Sequence, residues 1–166
     1  MQQSAISLLV SFVAVIIAVV ALAKSSQANR AREIASGVSS KPLQLQAYER
    51  LVMLTERIAL PNIISRLSQP GFTAKEMQLM LIETIKQEFE YNASQQIYVS
   101  ERSWDAVRSL RDQNMLMINT ISKTLPHNAK ASDLNRQIIE SMMHEEKAAL
   151  HSYVASTLNA EAKKIM

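Results

Sequence analysis

The chain has no cysteine and only two glycines and four prolines among its 166 residues. Without cysteine it can form no disulfide, bind no metal through thiolates and use no cysteine nucleophile. The two glycines, Gly37 and Gly71, leave little material for tight hairpins or for glycine-rich loops that cradle phosphates. These absences count against β-rich folds and against the common nucleotide-binding enzymes.

Catalytic signatures are missing as well. The sequence has no Ser-His-Asp order, no P-loop and no dinucleotide-binding fingerprint. Its three histidines are His127, His144 and His151. Glu140, His144 and His151 would share one side of a helix, but the two histidines are about 10 Å apart along the axis, too far for one ion to bind both without another helix. We therefore predict a protein that is not an enzyme and has no cofactor and no metal site.

The most informative segment is the long apolar run of residues 6–23, ISLLVSFVAVIIAVVALA, which contains no charge. At about 1.5 Å of rise per residue it covers roughly 27 Å, close to the hydrocarbon thickness of a bilayer. We predict a transmembrane helix with a basic extension over residues 1–36. A signal peptide cleaved after Ala23 is the rival reading, since Ala21-Leu22-Ala23 has the small-x-small form. The run is long and no basic residue precedes it, and both features favour an uncleaved anchor.

Basic residues follow the apolar run and predict its orientation. Four of the eighteen Lys and Arg lie in residues 24–41 against one acid, and the remaining fourteen are matched by fourteen acids from residue 42 onward. Because positive flanks stay on the cytoplasmic side and attract anionic headgroups, we expect a single-pass protein of the inner membrane, with its N-terminus outside and its C-terminal domain cytoplasmic. The neutral domain also argues against a nucleic-acid partner. The predicted membrane-surface residues are Lys24, Arg30, Arg32 and Lys41.

Beyond the membrane segment the composition favours helices throughout. A linker is predicted at residues 37–42, and turns are predicted at Gln69-Pro70-Gly71 and at Leu125-Pro126-His127-Asn128. The predicted helices run from about Leu43 to Leu67, from Thr73, from near Ser100 and from Ser132.

Two of these predicted helices carry local signals. Pro61 should kink or restart the first helix, because proline has no N–H and clashes with the preceding turn. The sequence T-A-K-E from Thr73 to Glu76 predicts a capping box at the start of the second. Apolar positions recur in steps of three and four along all of them.

The predicted fold class is all-α, with an N-terminal transmembrane helix followed by a four-helix cytoplasmic bundle over residues 43–166. The alternative is an open set of helices that a partner completes. A second apolar face at Leu79-Met80 and Met115-Leu116-Met117 would permit that arrangement, although methionines at helical spacing more often fill a core.

The segment Glu88–Ser100 interrupts the apolar period of the second predicted helix and precedes Trp104, the only tryptophan. One interpretation is a polar corner, in which amides bond the free carbonyls at a helix end. The other is a docking edge anchored by Tyr98 and Trp104. We favour the corner, because buried amides need the partners that a tight turn supplies.

Three stretches carry a resemblance to a known family: Q-A-Y-E-R-L ending at Leu51, E-R-I ending at Ile58, and E-F-x-x-N-x-x-Q-Q-I-Y-V-S ending at Ser100, with Trp104 after them. Residues 43–104 resemble an uncharacterised family of small membrane-anchored helical proteins of Bacteroidota. The resemblance implies a lineage and a topology. That family has no assigned activity, so it implies no reaction and no binding residues.

The functional prediction is a non-enzymatic single-pass membrane protein whose helical domain associates with other proteins. Its partners would be the lipid bilayer and either the other subunits of a membrane complex or a second copy of this chain. Two further hypotheses stay open, namely a bundle that binds a metal or small ligand through Glu88, Asn92, Glu140 and His144, and an exported domain released after Ala23. The predicted interface residues are Tyr48, Arg50, Arg57, Tyr98 and Trp104.

Overall fold

The computed structural model describes residues 40–144 and 148–166, and the side chains of 40–143 and 150–166. The predicted transmembrane segment and the basic residues Lys24, Arg30 and Arg32 lie outside the described residues. Within the described part of the chain, no helix combines the length and the apolar character needed to cross a bilayer. Residues Lys41–Met166 form one compact unit.

The described residues form six α-helices and one short 3₁₀ helix. The predicted all-α class is therefore confirmed for this part of the chain. The helices are α1 (Lys41–Ile58), α2 (Leu60–Leu67), α3 (Ala74–Tyr91), the 3₁₀ helix η1 (Ala93–Ile97), α4 (Glu101–Thr124), α5 (Ala131–His144) and α6 (Ala148–Ile165).

The helix count differs from the four that the sequence predicted. The first predicted helix is divided into α1 and α2 at Ala59, whose backbone is extended (φ −56°, ψ 126°). Pro61 lies in the first turn of α2, where its missing N–H costs no helical hydrogen bond. The last predicted helix covers α5 and α6, which lie on either side of residues 145–147, outside the described residues. At the other end, α1 already begins at Lys41, within the predicted linker, because Pro42 is tolerated in a first turn.

The break between α1 and α2 leaves carbonyl groups without their usual helical donors. Three side chains donate hydrogen bonds to them, at 2.8–2.9 Å. Pro61 has no N–H to offer the carbonyl of Arg57, so the Arg66 guanidinium takes that place. The pairs are Asn62 Nδ2 to Glu56 O, Arg66 Nη2 to Arg57 O, and Asn114 Nδ2 to Ile58 O.

The predicted capping box at the start of α3 is confirmed. The Glu76 N–H donates to Thr73 Oγ1 at 3.2 Å, and the Thr73 N–H donates to Glu76 Oε2 at 2.8 Å. These bonds stabilise the ionised carboxylate, so the pKa of Glu76 lies below its ordinary value, mainly through the Thr73 backbone N–H and then through the Thr73 hydroxyl.

The longest of the described helices, α4, packs against α1, α3, α5 and α6. Its buried residues follow the predicted steps of three and four. The second apolar face that the sequence suggested is divided, since Met117 is buried while Leu79 and Leu116 are exposed. The buried side chains of α4 are Ser103, Val107, Leu110, Asn114, Met117 and Ile118.

At one end of the unit, the α2–α3 turn and the α4–α5 turn pair through their backbones. The Ala74 N–H donates to the Ala129 carbonyl and the Ala131 N–H donates to the Phe72 carbonyl, both at 2.9 Å. Gly71 has a positive φ of 92° in the first of these turns, a conformation that favours glycine. We call residues 68–73 and 125–130 the paired turns.

Candidate interaction surface between α1 and α3

Side chains from two neighbouring helices form an exposed patch, which we call the α1–α3 surface. Residues separated by three, four or seven positions share one face of a helix, and each set below has that spacing. The surface consists of Arg50, Met53 and Arg57 on α1, and of Thr84, Gln87, Glu88 and Tyr91 on α3.

Two large side chains on this surface are unusually open to solvent. Tyr91 is 73% exposed and Met53 is 59% exposed. The core-facing row of α3 ends at Phe89, and two helical positions turn the chain by about 200°. Tyr91 therefore points away from the core that Phe89 enters.

Arg50 contacts the Tyr91 ring from the neighbouring helix and favours its orientation. Its guanidinium carbon lies 5.3 Å from the centre of the Tyr91 ring, within the range of a cation–π contact, which contributes about 0.5–1 kcal/mol at an exposed site. Because most of the ring remains in solvent, the aromatic group is oriented and still available for contact.

Arg57 and Glu88 form a second link between the same helices. Arg57 Nε and Nη2 lie 2.8 and 2.7 Å from Glu88 Oε1. Glu88 is the more enclosed partner, with its side chain 14% exposed against 52% for Arg57. A hollow of about 430 Å³ adjoins the pair, lined by both of these residues and by Thr84, Gln87 and Tyr91. The surface thus combines a fixed aromatic ring, an ion pair and a concave region.

This composition is typical of surfaces that bind proteins. Tyrosine, arginine and methionine are enriched at interfaces, and tyrosine and arginine are over-represented among the residues that contribute most to binding. An ion pair at this exposure contributes at most about 1 kcal/mol to stability, so its principal effect is to orient Arg57 and Glu88.

The other predicted interface residues lie elsewhere. Tyr48 is 3% exposed, and its hydroxyl accepts a hydrogen bond from the Ser100 N–H at 3.1 Å. Trp104 is half-buried and packs on Phe89, with ring centres 5.0 Å apart. Tyr98 is half-buried in the turn after η1. The aromatic groups of Tyr48 and Trp104 therefore belong to the core, and this differs from the position that we predicted for them.

Polar groups between α3 and α4 are used within the chain, as a polar corner requires. The Asn92 amide donates to the Glu88 carbonyl at 2.8 Å and so bonds a free carbonyl at the end of α3. Gln95 is buried in η1. Ser100 caps α4 by accepting the Ser103 N–H at 3.2 Å.

Tyr91 and Met53, the two large exposed side chains of this surface, are not among the predicted interface residues. Tyr91 lies in the segment Glu88–Ser100, for which the sequence suggested Tyr98 and Trp104 as anchors. The available signal was its register, because Tyr91 falls outside the apolar row formed by Leu81, Ile85 and Phe89.

Three of the four residues in the ligand-binding alternative, Glu88, Asn92, Glu140 and His144, have side chains that the structure describes. Glu88 is paired with Arg57, Asn92 caps α3, and Glu140 is exposed on α5. The side chain of His144 lies outside the described residues. Within residues whose side chains are described, no three His, Asp or Glu groups converge as a metal site would require.

A different cavity, of about 300 Å³, lies at the α1–α2 break and is bordered by Asn114, Leu110, Met142 and His151 among others. Glu56 also borders it. His151 Nε2 is 3.2 Å from Glu56 Oε1, within ion-pair distance, but this nitrogen makes no hydrogen bond to any described residue.

Among known proteins, the chain matches the model of one family. No curated protein and no solved structure matches the chain. A family model matches residues 1–165, which is far more of the chain than the stretch 43–104 that carried the resemblance. The chain therefore belongs to DUF7935, a family of unknown function.

Proposed function

We propose that this protein is a non-enzymatic, membrane-anchored module whose helical domain associates with other proteins through the α1–α3 surface. One observation carries the proposal. Tyr91 and Met53 are largely exposed, and Arg50 and Arg57 hold the surface together from the adjacent helix. An oriented aromatic ring loses little conformational freedom on binding, so it is suited to act as an anchor.

The membrane part of the proposal is supported by sequence. Residues 6–23 have the length and apolar character of a transmembrane helix, and the basic residues that follow favour a cytoplasmic helical domain. The resemblance to membrane-anchored proteins of Bacteroidota agrees with a bacterial inner membrane. In this proposal the helical domain is a scaffold or an accessory subunit of a larger membrane complex.

The test compares matched surface variants of the full-length chain in its native host. A double variant, M53S/Y91S, removes both exposed anchors. L116S is the control, because Leu116 is 66% exposed on α4 and lies outside the proposed surface. Each chain is extracted in mild detergent, and the proteins that co-purify are identified and quantified.

We expect the wild type and L116S to retain the same partner, or a second tagged copy of the chain, and M53S/Y91S to lose most of it. Equal recovery with all three chains would contradict a role for the α1–α3 surface. Circular dichroism of each variant checks that its helix content is unchanged.

A second candidate function is ligand or metal binding, and the cavity at the α1–α2 break favours it. The unpartnered His151 Nε2 and the Glu56 carboxylate both border that cavity. Elemental analysis of the purified full-length protein tests the metal form. Stoichiometric zinc, iron or manganese that is lost in H151A would support it, while the absence of stoichiometric metal, or metal that H151A retains, would count against it.

A further inference from the structure

The paired turns and the helix ends beside them form a basic region in a domain that is neutral as a whole. Residues 66–78 and 119–136 carry five Lys and Arg against two acids, although the chain from residue 42 onward is balanced. The remainder of the domain therefore carries the compensating negative charge. Folding brings these two stretches together through the backbone bonds of the paired turns.

The two acids of this region are already engaged by backbone groups. Glu76 accepts the Thr73 N–H in the capping box, and Asp133 accepts the Lys130 N–H at 3.1 Å. Neither carboxylate pairs with Lys75, Lys123 or Lys130 among the ion pairs of the described residues. The positive charge of these lysines is thus not neutralised locally.

A cavity of about 370 Å³ opens between the first turn of α3 and the last turn of α4. Its polar lining can donate hydrogen bonds from several directions, and no acidic residue lines it among those that the structure describes. Lys75 Nζ is the one cation there with a hydrogen-bond partner in the described residues, namely Gln78 Oε1 at 3.0 Å. The polar residues that line the cavity are Lys75, Gln78, Ser122, Lys123 and His127.

The placement of the lysines distinguishes this region from an ordinary solvated face. Lys123 lies in the last turn of α4, where a cation is favourable. Lys75 lies in the first turn of α3, where the helix dipole opposes a cation. An anion in the cavity would interact favourably with both lysines.

We propose that this cavity binds a phosphate group, with Lys75 and Lys123 supplying charge and Ser122 and His127 supplying hydrogen bonds. The Gln78 amide, which accepts from Lys75 and donates to Asn119 at 2.7 Å, positions Lys75 at the edge of the cavity. Lysine ammonium groups bind phosphate as point charges, and a phosphate can accept bonds from several donors at once. The group could belong to a soluble phosphate compound or to an anionic phospholipid headgroup. This inference goes beyond the proposed association function and uses other residues.

The site is well separated from the α1–α3 surface. Lys75 and Tyr91 stand sixteen positions apart on α3, which corresponds to roughly 24 Å along the helix axis. The effect of a substitution at one site can therefore be measured without directly disturbing the other site.

The test is isothermal titration of the full-length protein in a nonionic detergent. One arm uses inorganic pyrophosphate and the other uses glycerophosphoglycerol, the soluble headgroup of an anionic phospholipid. The variant K75Q/K123Q removes the two charges of the cavity. The control variant K86Q/K163Q removes two exposed lysines elsewhere and gives the same net charge.

We expect binding that K75Q/K123Q weakens by roughly tenfold or more, since a hydrogen bond to a charged group is lost at each lysine. K86Q/K163Q should change it by less than about twofold, because screened distant charges contribute little. Binding of pyrophosphate identifies a soluble phosphate compound as the ligand class, and binding of glycerophosphoglycerol alone identifies a lipid headgroup.

Two results would overturn the proposal. One is the absence of binding heat in both arms. The other is an equal loss of binding in both double variants, since that would show attraction to net charge without a site. If K75Q/K123Q is poorly folded, the single variant K75Q takes its place in the comparison with K86Q/K163Q. K75Q leaves Lys123 in place to compensate the α4 dipole.

Discussion

At the scale of single residues, Asn114 carries a structural task that its position in the sequence does not reveal. It falls in the apolar row of α4 and is 7% exposed, yet its amide donates to the Ile58 carbonyl across the helix break. The steps of three and four that relate Asn114 to its buried neighbours Leu110 and Ile118 are enough to predict that it faces inward. They could not predict a partner 56 residues away, because that partner exists only after α1 and α4 have packed.

We expect Asn114→Ala to destabilise the domain by about 1–3 kcal/mol, because it leaves a buried carbonyl without a donor. Asn62→Ala is the matched control, since Asn62 donates to the Glu56 carbonyl of the same break but is exposed. Water can replace that bond, so about 0.5 kcal/mol or less is expected. Urea unfolding followed by circular dichroism measures both, and equal losses would contradict this account of the break.

The capping box gives a prediction that depends on pH. The pKa of Glu76 lies below its ordinary value because the ionised carboxylate accepts bonds from Thr73. A carboxyl group with a lowered folded-state pKa contributes stability that is present above its unfolded pKa and lost as pH falls through the folded pKa. Acidification below about pH 4.5 should therefore weaken the start of α3.

Thr73→Val should raise the pKa of Glu76 only part of the way to its ordinary value. The substitution removes the hydroxyl but keeps the Thr73 backbone N–H, which is the larger cause of the lowered pKa. NMR titration of the Glu76 carboxyl carbon measures this change. A complete return to the ordinary value would show that the hydroxyl, and not the backbone, is the dominant partner.

At the scale of helices, local sequence signals predicted where the helices begin more accurately than they predicted how many helices there are. Thr73 caps α3 as predicted, and α4 begins at Glu101, close to the predicted start near Ser100. Such starts are predictable because capping depends on residues three positions apart. Pro61 indicated a kink or a restart, and the choice between them depended on donors from Arg66 and Asn114. These donors are distant in sequence from the break, so the local sequence cannot show that they will bond its free carbonyls.

The turn between α2 and α3 can be tested through Gly71. Its φ of 92° is strained for residues that have a Cβ, although no atom lies within 4 Å of where a Cβ would be. We expect Gly71→Ala to cost about 1–2 kcal/mol through backbone conformation alone. Gly71→Asn should cost less, because asparagine tolerates positive φ. Thermal unfolding of the two variants gives the order, and a reversed order would show that packing, not backbone strain, controls this turn.

At the scale of the whole molecule, the domain has equal numbers of positive and negative residues, but these charges are unevenly distributed over it. The basic residues beside the paired turns come from stretches about 50 positions apart, so counting charges along the sequence could not bring them together. The sequence likewise predicted only part of the α1–α3 surface. Arg50 and Arg57 were among the predicted interface residues and lie on this surface, whereas Tyr91 was not predicted, because its contact with Arg50 forms only when α3 packs beside α1.

Membrane anchoring is a prediction for the entire chain. We expect the full-length protein to stay with the membrane pellet after alkaline carbonate extraction, because residues 6–23 can span the hydrocarbon layer. A variant that lacks residues 1–23 should be released into the supernatant. Intact-mass measurement of the protein from its native host distinguishes this from cleavage, which would remove the first 23 residues. Release of the uncleaved full-length chain by carbonate would contradict the anchor.

The proposed association of the helical domain with other chains can be measured by native mass spectrometry of the full-length protein, extracted gently from native membranes. We expect a discrete assembly well above the 18.6 kDa of one chain, containing further copies or other membrane subunits, and we expect M53S/Y91S to lose it. A wild-type protein that is recovered only as a single chain would contradict the account.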